Sequence, residues 1–335
     1  MHSQLLTIAI LAACGTLTAQ ASSASTSFDA NGVGCQSNGL ITGGVVVGAT
    51  FDASYDRSTG VLDLTVENTT PVVSGEATAT ITLIHFNLPP GAITGATLIS
   101  QTGISGAAPN YSLTFDANTS AGQNPNKLGC LGTFSIELDN GLGSKGAIAN
   151  AAATNISTPG PVIGPVTFSI QLTGPGANGI DAESVLASFS TNANVQTNVG
   201  LKFQGGGVGG QESGFVGADD ECRTALYTVG NTSPGGQFDL CVTGEDGCHA
   251  CIWVSTSPGP TQVGSITVPI GLPLTSAFDL GNFGLNGAGN VFCIPYVVPN
   301  NPALSGTSFY AVNVTYNALN LAGYDFSEPY EVMIH

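Results

Sequence analysis

The chain has 335 residues, 42% hydrophobic but only 8% charged, and five Lys and Arg stand against 22 acidic residues for a formal charge of −17. So few basic residues exclude a binder of phosphate backbones and disfavour an anionic membrane surface. The apolar content excludes an acidic disordered tail, and the lack of long Ala/Glu/Lys/Leu-rich runs excludes a coiled coil.

In chain order, the first feature is an apolar run from Leu5 to Leu17. It has the length of a signal-peptide core and falls short of the ~20 residues that a spanning helix needs. Residues 1–21 read as this leader. Two exits compete. Ala19-Gln20-Ala21 is a small-x-small site that leaves Ser22 first, whereas Leu11-Ala12-Ala13-Cys14-Gly15 looks like a lipobox in which Cys14 carries lipid. Either exit exports the mature chain, as a secreted protein or as a lipid-anchored one at the cell surface. No later segment is apolar over a bilayer's length, so the mature chain is expected to have no transmembrane segment.

Beyond the leader, apolar stretches are short, rich in Val, Ile, Thr and Phe, and bounded by Gly, Pro, Asn or Asp. Leu62, Leu64 and Val66 alternate onto one face, and Thr78 to Phe86 sets Ile81, Leu83 and His85 opposite Thr82, Ile84 and Phe86. Further strands are predicted at 111–115, 132–138, 165–172, 199–204, 236–243, 250–255, 264–269, 290–298 and 307–316. Helix signals are thin: Asp181 to Phe189 offers two turns capped by Asp181, and the Ala-rich Gly146 to Asn155 lacks an apolar stripe. This spacing predicts an all-β chain of two tandem antiparallel β-sandwich domains, jelly-roll or immunoglobulin-like. The glycine run at Gly205–Gly210 and the acidic Asp219-Asp220-Glu221 place the boundary, giving domains at 28–218 and 219–335.

Export makes disulfides the expected state of Cys35, Cys130, Cys222, Cys241, Cys248, Cys251 and Cys293. Seven is odd, so at least one is left over or pairs between chains. Cys35 and Cys130 stand alone in the first part and are expected to pair; the pairing of the other five is not readable. Cys248-His249-Ala250-Cys251 also invites redox or zinc readings. It leads into Ile252-Trp253-Val254, which reads as a strand rather than the helix a redox C-x-x-C requires, so structural bridges are the expectation.

Ser255-Thr256-Ser257-Pro258-Gly259-Pro260, Ile270-Gly271-Leu272-Pro273-Leu274, Gly287-Ala288-Gly289-Asn290, Asn301-Pro302-Ala303-Leu304 and Ser308-Phe309-Tyr310-Ala311 follow one another in the second domain. In that order they resemble a C-terminal module of secreted surface proteins from planctomycetes and other marine bacteria. Phe86-Asn87-Leu88-Pro89 and Val199–Gln204 give the first domain a weaker likeness to extracellular domains of PEP-CTERM-type surface proteins. The chain departs from that pattern by lacking the C-terminal apolar helix and basic tail. The resemblance implies an extracellular β-sandwich without catalytic residues to carry over.

Chemistry-bearing motifs are sparse. Gly205, Gly207 and Gly210 fit G-x-G-x-x-G, but no helical stripe follows and a β-loop is the better reading. No G-x-S-x-G, H-E-x-x-H or S-x-x-K motif is present, and His85 reads as a core or edge histidine. Asp219, Asp220, Glu221, Glu245 and Asp246 are the candidates for calcium, against the plainer reading of solvated loop charge. The expectation is a non-catalytic secreted or cell-surface protein with structural or adhesive work, without a cofactor. Its partners would be extracellular polysaccharide or other surface proteins. The alternative is a calcium-assisted carbohydrate-binding module, which requires an exposed aromatic platform from Tyr55, Tyr111, Tyr227 or Trp253. A polysaccharide hydrolase would need two close carboxylates in a cleft.

Overall fold

The computed structural model describes residues 22–28, 33–36, 47–103, 111–117, 126–141, 147–153, 156, 162–191, 196–208, 210, 212–218, 223–245, 248–263, 266–271, 276–284, 291–317 and 320–335. Their regular structure is nearly all strand, with one short α-helix, α1 (Ala182–Leu186), and three short 3-10 turns.

Thirteen strands precede residue 218: β1 (Ser22–Phe28), β2 (Val33–Gln36), β3 (Ala49–Asp56), β4 (Val61–Asn68), β5 (Thr80–Phe86), β6 (Gly95–Gly103), β7 (Ser112–Phe115), β8 (Ile136–Asp139), β9 (Ile148–Ala149), β10 (Val162–Ile163), β11 (Val166–Thr173), β12 (Val199–Gly206) and β13 (Glu212–Gly217). They make two sheets. A front sheet runs β1-β3-β4-β11-β6, and a back sheet runs β10-β9-β5-β12-β13-β2, with β8 beside β5 and β7 beside β8. All pairings are antiparallel except β9 with β10.

Period-two alternation explains the front sheet. Its inward rows are Phe51–Val66–Val166, Ala53–Leu64–Phe168 and Tyr55–Leu62–Ile170, read across β3, β4 and β11. These side chains share one core with Ile84, Phe86, Ile136, Leu138, Leu201 and Phe203 of the back sheet. Phe51 meets Phe86 edge-on at 5.7 Å and Tyr111 meets Phe168 at 5.2 Å, so aromatic pairs bridge the two sheets. Each large side chain fully buried here contributes about 1.5–3 kcal/mol.

The back sheet is covered on its other face too. Leu128, Leu131 and Phe134 pack over Leu83 and Phe215, which is why the stretch expected as strand from 132 becomes one only at Ile136. Gly200 allows this cover, because a Cβ there would lie 2.7 Å from Leu128 Cδ2. His85 belongs to this layer, fully buried with its ring edge-on to Phe134 at 5.4 Å.

After residue 223 come β14 (Thr224–Gly230), β15 (Gln237–Gly244), β16 (Cys248–Ser255), β17 (Thr261–Val263), β18 (Ile266–Val268), β19 (Ser276–Gly284), β20 (Val291–Val297), β21 (Ser308–Asn317), β22 (Asn320–Phe326) and β23 (Tyr330–Met333). One sheet is β14-β15-β20 and another is β19-β16-β21-β22 with β23 on β21, while β17 and β18 form a separate hairpin. Leu226, Phe238 and Leu240 of the first meet Ile252, Phe309 and Val332 of the second in a smaller core. No described sheet mixes strands from before residue 218 with strands from after 223. β1 extends the front sheet back to Ser22, ahead of the start expected at residue 28.

Cys241 and Cys293 face each other across β15 and β20 and are joined, with Cα atoms 4.0 Å apart. That spacing marks a non-hydrogen-bonded pair, and so, two residues on, is Asp239–Pro295. The nitrogen of Pro295 therefore faces away from β15, the strand that β20 pairs with among the described residues, and its missing N–H costs that ladder nothing.

Candidate functional site

The structure places the expected site residues unevenly. Cys14, Asp219, Asp220, Glu221, Cys222 and Asp246 lie outside the described residues. Glu245 follows β15 and is half-buried. Among the described residues no group of three His, Cys, Asp or Glu side chains converges to hold a metal ion. Cys130 is disulfide-bonded, and Cys241–Cys293 is a bridge that sequence alone left unassigned. Cys248 and Cys251 both fall on β16, which pairs with β21 along its whole length, so this C-x-x-C lies on a strand and not at a helix N-terminus.

The tyrosines of the expected sugar platform point the wrong way. Tyr55, Tyr111 and Tyr227 are buried, and their hydroxyls donate inward to the carbonyls of Ala177, Ile81 and Pro90. Burial pushes Tyr55 up to about 12, so all that these phenols offer is an inward hydrogen bond. Trp253 is half-buried and set edge-on to Phe326 at 6.0 Å.

His85 behaves as the sequence suggests. Burial drives its pKa down to about 3, so the ring is neutral at pH 7. Its Nε2 lies 3.3 Å from Glu137 Oε2 without hydrogen-bond alignment, and a neutral ring makes this a contact rather than an ion pair.

Two ion pairs lie elsewhere, along a seam between the two halves of the chain. The sequence has two arginines, and both are there. Arg57 sits in the turn between β3 and β4. Its Nε donates to Ile180 O at 2.9 Å, one terminal nitrogen donates to Glu331 O at 3.2 Å, and the other reaches Asp181 Oδ2 at 3.4 Å. The guanidinium also lies 4.6 Å above the centre of the Tyr330 ring. Arg223, just before β14, forks onto Glu183, with Nε 3.1 Å from Oε2 and a terminal nitrogen 3.1 and 3.0 Å from Oε1 and Oε2.

Local sequence explains the first-half wall of the seam. Asp181 caps α1 by accepting from Ser184 N at 2.8 Å, while the Ser184 hydroxyl accepts from Asp181 N at 3.0 Å, a capping box that fixes Asp181 and Glu183 on one short helix. The preceding Gly174-Pro175-Gly176-Ala177-Asn178-Gly179 is lean enough to lie against β14. A Cβ on Gly179 would come within 2.1 Å of Thr228 O. Tyr330 completes the contact, its hydroxyl bonded to Gly179 O at 2.5 Å and to Thr228 Oγ1 at 3.0 Å.

Burial pushes Asp181 and Glu183 above the usual carboxylate range, against the pull of Arg57 and Arg223. The pairs therefore offset the cost of desolvating the charges more than they add net stability, and what they contribute is a unique docking geometry. Chemically the carboxylates are committed: one caps a helix and holds an arginine, the other is gripped bidentately. Sequence reading found the Asp181 cap and missed Glu183, Arg57, Arg223 and Tyr330 as partners. The signal available was the scarcity of arginine in so acidic a chain. The chain matches no protein-family profile and no curated protein.

Proposed function

We propose that the chain is an exported, non-catalytic protein with structural or adhesive work, built from two β-sandwich units at about 28–218 and 219–335. The observation that carries this reading is the seam. Both arginines are committed there: Arg223 joins the halves through Glu183, and Arg57, paired with Asp181 inside the first half, reaches across to Glu331 O and the Tyr330 ring. Inward-facing tyrosines weigh against the carbohydrate-binding alternative and its platform. The resemblance to planctomycete surface modules supports the same reading, as does the leader at 1–21, with release before Ser22 or lipidation of Cys14 as its two outcomes. A Cys35–Cys130 bridge belongs to it as well: Cys130 is disulfide-bonded, and the Gly129–Leu131 turn that carries it packs against β2, which carries Cys35.

The test is fractionation of producing cells with an antibody to the mature chain, beside pull-downs on insoluble polysaccharides with calcium and with chelator. The reading expects retention in the surface or matrix fraction and no selective glycan binding. Selective binding to one or two glycans, or release of sugar from them, would replace it with a recognition module or a hydrolase.

A further inference from the structure

We infer that the seam fuses the two halves into one cooperative body, and that β23, the last strand of the sequence, is its latch. The default for two units in one chain is relative motion, unless their interface is large and apolar. Three observations set this chain apart from that default.

First, the main core does not stop at the boundary. Tyr227 of β14 and Cys241 of β15 are members of the core formed by the front and back sheets, and Tyr227 has no solvent exposure. Second, the backbones approach to a distance that only glycine permits. A Cβ at Gly176 would sit 3.0 Å from Thr228 O, and at Gly179 it would collide with the same carbonyl, while Gly230 N donates to Pro175 O at 3.3 Å. Third, β23 is held from both sides. Its four residues pair with β21. From the first half, Arg57 covers the Tyr330 ring and bonds Glu331 O, and Gly179 O takes the Tyr330 hydroxyl.

Opening the seam would thus uncover core side chains as well as break polar contacts, and it would strip β23 of half its support. The two halves are expected to unfold together although they share no sheet.

Trp253 is the one tryptophan of the sequence and lies on β16, so its fluorescence reports the second half. Hydrogen exchange in peptides from 49–68 reports the first. In denaturant, with disulfides intact, the wild-type midpoints from the two reporters coincide. Gly179→Ala acts as a wedge at a position with ordinary backbone angles and separates the midpoints, the Trp253 transition moving to lower denaturant. Wild-type midpoints that already differ, or Gly179→Ala midpoints that stay together, overturn the inference. Tyr330→Phe keeps the ring beneath Arg57 and serves if the wedge variant does not fold. It should lose exchange protection in 174–180 and 328–335 while the rest is unchanged, and protection kept in both segments would remove β23 as the latch.

Discussion

Before residue 218 the core is built from large side chains withdrawn wholly from solvent, among them Phe51, Phe86, Phe134, Phe168 and Phe203. After residue 223 the only aromatic of that class among the described residues is Tyr227, and it packs into the first core rather than its own. The second half has a thinner core around Phe238, Leu240 and Phe309, the cross-strand Cys241–Cys293 disulfide and a strand anchored in its neighbour, while Cys130 of the first half is bridged too. The contrast shows two ways of offsetting the conformational entropy of a β unit: bury more apolar area, or restrict the unfolded chain and lean on another surface.

That contrast breaks in defined places. Phe168→Ala empties the centre of the first core and should cost about 3–5 kcal/mol in denaturant unfolding. A loss below about 1 kcal/mol would mean that the first half does not depend on its aromatic filling. Replacing Cys241 and Cys293 by Ala removes a link spanning 52 residues, worth about 4 kcal/mol on loop-closure grounds. With the halves joined at the seam, Trp253 fluorescence and first-half exchange should shift equally, and a shift confined to Trp253 would show that the seam does not transmit the loss. Arg57→Met leaves Asp181 without its cation and uncovers Tyr330. The pair is partly exposed, at 23% and 16% for the two side chains, which limits the expected cost to about 2 kcal/mol.

A further effect is spread over a pH range rather than tied to one variant. His85 is held near 3 in the fold, below the 6.5 of an unfolded histidine, so the unfolded chain binds more protons between these values. Its contribution is complete above pH 6.5 and is lost as pH falls toward 3, at about 1 kcal/mol per pH unit. Glu137, pushed up by burial, works in the opposite sense over its own range, so the comparison should be made against His85→Phe. Identical pH profiles for the two proteins would show that the ring is hydrated in solution. Millimolar calcium should leave the melting temperature unchanged, since this reading assigns the acidic residues no metal.

Alternation made β4 and β11 legible, because each has one buried and one half-exposed face; β5 showed as a short β-rich run, and α1 by the Asp181 at its start. β14 hid for a different reason: Thr224 to Thr228 are buried on both faces, one by its own sheets and one by the seam, and the period disappears. β6 hid because it is an edge strand with an irregularity at Ile99, exposed along much of its length. The seam itself was out of reach. Arg57 and Asp181 are 124 residues apart and Arg223 and Glu183 are 40 apart, with no local pattern binding either pair.

The proline on β20 has a further consequence. A protein rich in strands must not polymerise by accident. Open sheet edges are where such accidents start, because a row of unpaired amides and carbonyls accepts any extended chain. On β20 the central outward position presents a pyrrolidine ring in place of a donor. On β6 the extra residue at Ile99 breaks the rhythm that an incoming strand would have to match. Both of these edges thus offer a poor template for an incoming strand.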